Sequence, residues 1–530
     1  MPQSTYCLIR EPWIPVVDAS GKSREVNLLD ALCRADEWVE IRDPLPLVEL
    51  GVYRLLIAIA LDLLFIEPEK EPIPRDIKAL LRAGSFSETE VSDYLKRYQN
   101  RFDLFSLEHP FLQTPGGDSE PDKPLAALLP PLPSGTNVGH FHHAPENLFG
   151  VCQAAAARLL TTVAPFMTAG GAGLSPSING APPWYVLVRG NNLFETICAN
   201  LCVLPDYADL SEPPVWRAKP RIPGGDKRLD AGYAEALTWR PRRIRLIDGE
   251  AGCCSLTGVN SEVIVRTMKF SAGDSCHPEM PWRDPNVAYR VGQKGLQFPL
   301  RPQEGREAWR DLGPLALLDD SSATVGAGAD RPAVVRQFAL LAKSESAMGD
   351  APSLRLLLYG MRTDGKMKIF EWHREELTLP APLIWKSAFA EDALAELQTA
   401  EEIARTLRGA VKIAYARGGG GNKAAFDGRI TYALRQFFSA ARAHYDQYLQ
   451  GIARLDPEIH GDERADARNL FRRGLRTEGW GALGTAIDDL DSDANALERW
   501  TSARGFFARR TSAVLGSLNA DAESSAKGTR

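Results

Sequence analysis

ITYALRQFFSAA, residues 430–441, places Ile430, Ala433, Leu434, Phe437, Phe438 and Ala441 at i, i+3, i+4, i+7, i+8 and i+11. That spacing is an apolar stripe along one side of a 3.6-residue helix, the side that faces a core. The same texture fills the last quarter of the chain. After Leu379-Pro380-Ala381-Pro382, strand-like and proline-containing sequence gives way to long Ala-, Leu- and Arg-rich segments, and a domain boundary is placed there. The spacing predicts four helices, over roughly 387–417, 427–453, 462–486 and 494–515, with GGGG at 418–421 ending the first and Asp456-Pro457 separating the second from the third. The expected fold class is α+β: a large mixed α/β domain with long functional loops, 1–382, then a four-helix bundle, 385–515. The small, polar residues 516–530 read as a disordered tail.

Upstream, residues 6–17 (YCLIREPWIPVV) read as strand, DASGK as a turn, and Val26 to Trp38 as helix. The most apolar stretch, Leu47 to Ile66, carries Glu49, Arg54 and Asp62, too many charges for a lipid-spanning helix, and is expected in the core. Residues 112–147 hold seven prolines, a composition that neither a helix nor a central strand tolerates. Loops of that length usually serve a function. Thr168 to Pro183, TAGGAGLSPSINGAPP, is a second irregular stretch.

Across 530 residues, 44% hydrophobic and 25% charged is the composition of an ordinary globular protein. Sixty-two basic against 68 acidic residues leave a net charge of −6, so any polyanion site has to be local. Eight cysteines in no regular framework suit a reducing compartment. The start, MPQSTYCLIREPW, lacks the basic and apolar regions of a signal peptide, so a cytoplasmic location with no membrane partner is expected.

Two stretches concentrate positive charge. From Trp216 to Arg245 nine basic residues face three acidic ones, with Trp216, Tyr233 and Trp239 interleaved. Phosphate contact plus base stacking uses that combination, and a solvated surface loop shows it too. In the third helix Arg464, Arg468, Arg472 and Arg476 recur every four positions beside Arg473, on one face. That face suits a nucleic-acid backbone or the carboxylates of a neighbouring helix. His140, His142 and His143, with Cys152 downstream and Cys253-Cys254 and Cys276-His277 further on, leave a zinc site or a metal-dependent nuclease open. No HExxH, CxxC pair, GxxxxGK[ST] or GxSxG accompanies them.

Several motifs then fall in one order: Trp13-Ile14-Pro15-Val16, Gly21-Lys22, Val26-Asn27-Leu28, Glu108-His109-Pro110-Phe111-Leu112-Gln113-Thr114 and Ser134-Gly135-Thr136-Asn137. GGAG at 170–173, Val188-Arg189-Gly190, Trp239-Arg240-Pro241, the Leu354 to Lys366 segment and the helical last quarter continue the series. Together they resemble the CasA family, the large subunit of the type I-E CRISPR Cascade surveillance complex, over nearly the whole chain. The resemblance implies a subunit that does no chemistry. It implies recognition of the protospacer-adjacent motif in double-stranded DNA from the minor groove, help in opening the duplex for guide RNA, and recruitment of a helicase-nuclease. The implied partners are the other Cascade proteins, the CRISPR guide RNA, target DNA and that nuclease.

By resemblance, the motif-reading glycine loop is Gly171-Ala172-Gly173, where small side chains let backbone approach base edges. Lys269 is similar in position to the family's minor-groove lysine, whose ammonium donates to acceptors that both orientations of an A·T pair present. The family's wedge hairpin corresponds to Arg362-Thr363-Asp364-Gly365-Lys366 between strands at 354–360 and 368–370. Glycine stands at 365 where the family has glutamine; Lys366 or Arg362 takes its role, or the register differs by one. Phe141, His142 and His143 fall at the tip of the family's loop that contacts guide RNA and the motif region. Where family members hold zinc with paired cysteines, this chain keeps Cys152 and Cys254 but has Phe149 and Thr257 at the other two places, so the expectation is no cofactor. A metal-dependent nuclease and an RNA-only scaffold remain the alternatives.

Overall fold

The computed structural model describes residues 5–65, 72–117, 119–129, 149–170, 173–207, 212–218, 224–292, 297–317, 319–320, 328–346, 353–365, 369–415, 423–488 and 494–516. Its chain divides into two compact units. The larger comprises Met1–Gln303, Pro314–Ala347 and Arg355–Leu377; the other comprises Glu304–Gly313, Met348–Leu354 and Thr378–Arg530.

In the larger unit β1 (Ile14–Asp18) and β2 (Ser23–Val26) form a hairpin with Ile14 opposite Val26. The Asp18 carboxylate accepts from the amides of Ser20 and Lys22, and Gly21 takes φ +80°, which closes the turn without a Cβ clash. The helix expected from Val26 to Trp38 is confined to α1 (Leu28–Cys33), because Asn27 caps it and β3 (Trp38–Ile41) pairs with the far side of β1.

Helix α2 (Pro46–Leu64) starts on a proline that needs no amide partner and is buried from Leu47 to Asp62. Each of its three charges finds a partner. Glu49 accepts from Arg374 at 2.8 Å and Tyr359 at 2.9 Å; Arg54 meets Asp284 at 2.9 Å; Asp62 meets Arg217 at 3.2 Å. An unpartnered charge there would cost several kcal/mol. Among the described residues no helix is long and apolar enough to cross a membrane.

Eight of the further strands form three small sheets that position the site. In chain order they are β4 (Asp122–Pro124), β5 (Val151–Cys152) leading into α3 (Gln153–Thr161), β6 (Tyr185–Val188), β7 (Arg242–Ile247), β8 (Ile264–Val265), β9 (Thr267–Ala272), β10 (Leu354–Thr363) and β11 (Ile369–Leu379). They pair as β4-β9-β7, β5-β8 and β11-β10-β6, all antiparallel where a register is defined. The proline-rich stretch expected as a continuous loop thus contributes β4, an edge strand, where proline's missing donor is tolerated.

The second unit carries four long helices, α4 (Ser387–Tyr415), α5 (Lys423–Ile452), α6 (Gly461–Ile487) and α7 (Ala494–Val514). Ala433, Phe437, Phe438 and Ala441 are buried as the stripe requires. Segment 304–313, inside the expected 1–382 domain, belongs with these helices. Trp309 packs 5.4 Å from the Tyr445 ring, and Arg306 and Arg310 each reach the Glu401 carboxylate at 2.8 Å.

Candidate nucleic-acid interface

Strand β7 reads Arg-Arg-Ile-Arg-Leu-Ile, and its pleat sorts the three arginines. Arg242, Ile244 and Leu246 point into the core, while Arg243 and Arg245 share the other face. On β9 the alternation puts Met268 and Phe270 inward and Lys269 outward, directly opposite Arg245 on one side and Asp122 of β4 on the other. Lys269 Nζ lies 3.0 Å from Asp122, Arg243 lies 3.2 Å from Glu120, and Arg245 donates to the Leu107 carbonyl. Beside them is a cavity of about 210 Å³ lined by Thr114, Gly116, Glu120, Arg243, Arg245 and Lys269. Three cations thus stand at one cavity, each beside an acceptor, a local concentration of positive charge.

The inward face of the same sheet holds the glycine loop. Buried Arg242 donates to the carbonyls of Thr168, at 2.7 Å, and Ser175, on the two limbs of that loop, and lies over the Phe270 ring. Burial pulls its pKa down to about 10, so it stays charged at neutral pH. Gly173 takes φ +79° with open space at its Cβ position, a conformation that favours glycine; Gly171 and Ala172 lie outside the described residues. Lys269 and the loop are therefore carried by opposite faces of one small sheet.

At the hairpin, Gly365 has φ +79° and donates its amide to Thr363 Oγ1 at 2.9 Å, which closes the start of the turn. A glutamine there would need the same left-handed backbone. Arg362 pairs with Glu371 at 3.1 Å and stacks over Phe370, 4.5 Å from the ring centroid; Asp364 is exposed, and Lys366 lies outside the described residues. So do His140, Phe141, His142, His143 and 517–530 of the tail.

In two stretches the structure shows what the cationic and aromatic residues contact. Of the arginine stripe, Arg464 is buried and bonded to Asp392 at 2.5 Å and to the carbonyls of Ile452 and Leu455. Arg468 reaches Asp392 at 3.6 Å and Glu396 at 3.7 Å, and Arg472 holds Glu396 at 2.6 Å. The stripe is an ion-pair ladder to α4, with Arg473 and Arg476 left exposed. Likewise Trp216, Tyr233 and Trp239 are core residues, Trp216 donating to Tyr94, so they offer no stacking surface. Of the nearby cations Arg217, Arg228 and Arg243 have carboxylate partners.

Cys152 and Cys254 do come together, close enough to shift each other's acidity, and Ser255 donates its amide to the Gly150 carbonyl at 2.8 Å. Their proximity pushes the Cys152 thiol up and holds the Cys254 thiol below its usual range, and Thr257 also lowers Cys254. Phe149 and Thr257 supply no further thiolate, and among the described residues no group of three His, Cys, Asp or Glu could hold a metal ion. Two sulfurs fill two of the four positions of structural zinc, and His140, His142 and His143 lie outside the described residues. Sequence reasoning missed Arg242 as the loop's strap; the alternation of β7 was its signal.

The family model described as CRISPR-associated protein Cse1 matches residues 8–482. CRISPR-associated protein CasA/Cse1 of Thermus thermophilus is 32% identical over 421 residues, covering 76% of each chain. The crystal structure of Thermus thermophilus CasA matches with a TM-score of 0.76 at 27% identity, over 96% of this chain and 99% of that one. A chain of a CRISPR RNA-guided surveillance complex shares the fold, with a TM-score of 0.73 at 18% identity over 95% and 99%. With this family model covering most of the residues and a relative of that identity and coverage, the chain belongs to the CasA/Cse1 family, the large subunit of the type I-E CRISPR Cascade surveillance complex.

Proposed function

We propose that this chain is the non-catalytic subunit that reads a short duplex motif flanking the target from the minor-groove side, helps open the adjoining base pairs, and recruits a helicase-nuclease. It works beside the other Cascade proteins and the guide RNA, which reads the rest of the target by base pairing. One observation carries the reading: Lys269, Arg243 and Arg245 stand around an open cavity on one face of the sheet whose other face is strapped by Arg242 to the glycine loop.

Each part has a physical role. The arginines attract phosphates without regard to sequence. The Lys269 ammonium exchanges its exposed Asp122 partner for minor-groove acceptors, which distinguish A·T from G·C weakly, so the motif is read permissively. The glycine loop brings backbone donors where a Cβ would stand off.

The test is binding of the reconstituted guide complex, at fixed salt, to duplexes differing only in the two or three base pairs beside the target. Discrimination by wild type, with affinity for the preferred flank lost in Lys269→Ala and no strand cut by the isolated chain, supports the reading. Equal binding to every flank would leave an RNA-only scaffold as the better description, and metal-dependent cleavage by the isolated chain would make it a nuclease.

A further inference from the structure

Strand β11 is the edge of its sheet, and near the hairpin one of its faces carries Phe370 and Trp372, 49% and 42% exposed. Further along that face Arg374 is tied to Glu40 and Glu49, and Glu376 to Arg189, so the two rings form the open end of an otherwise closed surface. Side chains two residues apart on a strand stand about 6.6 Å apart, twice the roughly 3.4 Å spacing of stacked bases. Arg362 lies over the Phe370 ring, which puts a cation beside the aromatic surface.

We propose that Phe370 and Trp372, with Arg362 beside them, are a stacking platform for unpaired bases of single-stranded DNA released next to the hairpin. This rests on the duplex-opening reading above. An aromatic pair with an adjoining guanidinium matches the π-face and phosphate of a nucleotide, which stacks without regard to sequence. A purely apolar protein partner would instead have to bury the charge of Arg362 together with Glu371.

The experiment uses the full chain with fluorescein-labelled 12-mer oligonucleotides of mixed sequence: single-stranded DNA, the same sequence as RNA, and the blunt duplex. Phe370→Ala, Trp372→Ala, Trp372→Tyr and Lys269→Ala are compared with wild type. The two alanine variants are expected to lose about tenfold in affinity for single-stranded DNA, with duplex binding unchanged and Trp372→Tyr close to wild type. Lys269→Ala should bind single-stranded DNA like wild type. Wild-type affinity for single-stranded DNA in both alanine variants overturns the platform, as does a loss confined to RNA. A preserved platform with no flank discrimination would overturn the motif reading and leave the platform standing. Circular dichroism melting checks that these exposed substitutions leave the fold intact.

Discussion

On the sheet face of the larger unit, Lys269 holds Asp122 at 3.0 Å, and that carboxylate is 65% exposed. On the helical face of the second unit, Arg472 holds Glu396 at 2.6 Å, and that carboxylate is 1% exposed. Both cations stand where sequence periodicity points a positive charge outward. Their partners separate them. Lys269 can leave a solvated carboxylate at a cost of less than about 1 kcal/mol, whereas Arg472 leaves a buried one with only Arg468, 3.7 Å away. A cation is available to DNA when its resident partner is cheap to abandon.

The largest effect should therefore come from breaking the buried pair. Arg472→Ala is expected to lower unfolding free energy by about 3 kcal/mol in urea titration while leaving the salt slope of DNA binding unchanged. A shallower slope at unchanged stability would return the stripe to the DNA interface. Next, Arg242→Met removes the strap between the limbs of the glycine loop and leaves the Thr168 and Ser175 carbonyls without their donor, a loss of roughly 2 kcal/mol. Limited proteolysis should then cut within 168–175 faster than in wild type. The Asp122→Asn change sharpens the comparison from the other side: with its carboxylate neutralised, Lys269 should bind duplex two- to fivefold more tightly, an effect below about 1 kcal/mol and largest at low salt. The smallest effect is expected from a chelator, which should leave the melting temperature within error, because Cys152 and Cys254 supply two ligands where structural zinc takes four; a drop of several degrees would show a bound metal.

The sequence made the helices legible because their stripes run for many turns and are punctuated by GGGG and Asp-Pro; α4 to α7 begin and end within a few residues of the expected positions. It concealed β4, β5 and β8, two or three residues each, which are too short to show a period of two. The partners of Glu49 and Arg374 were equally hidden, since the two residues lie 325 positions apart. Trp216 and Trp239 misled for a related reason: aromatics among bases fit a stacking surface, but a large ring gains more from burial when a core is within reach. The helix that carries Arg464, Arg468 and Arg472 does not hold their partners; Asp392 and Glu396 sit on another.

The most direct measurement compares Lys269→Ala with the double variant Arg473→Ala/Arg476→Ala in reconstituted guide complex, titrated against preferred and non-preferred flanks over a salt series. The expected result is that Lys269→Ala loses about tenfold on the preferred flank alone, while the double variant shifts both flanks equally or neither. Loss of flank discrimination in the double variant, with Lys269→Ala discriminating like wild type, would contradict the assignment of motif reading to the sheet.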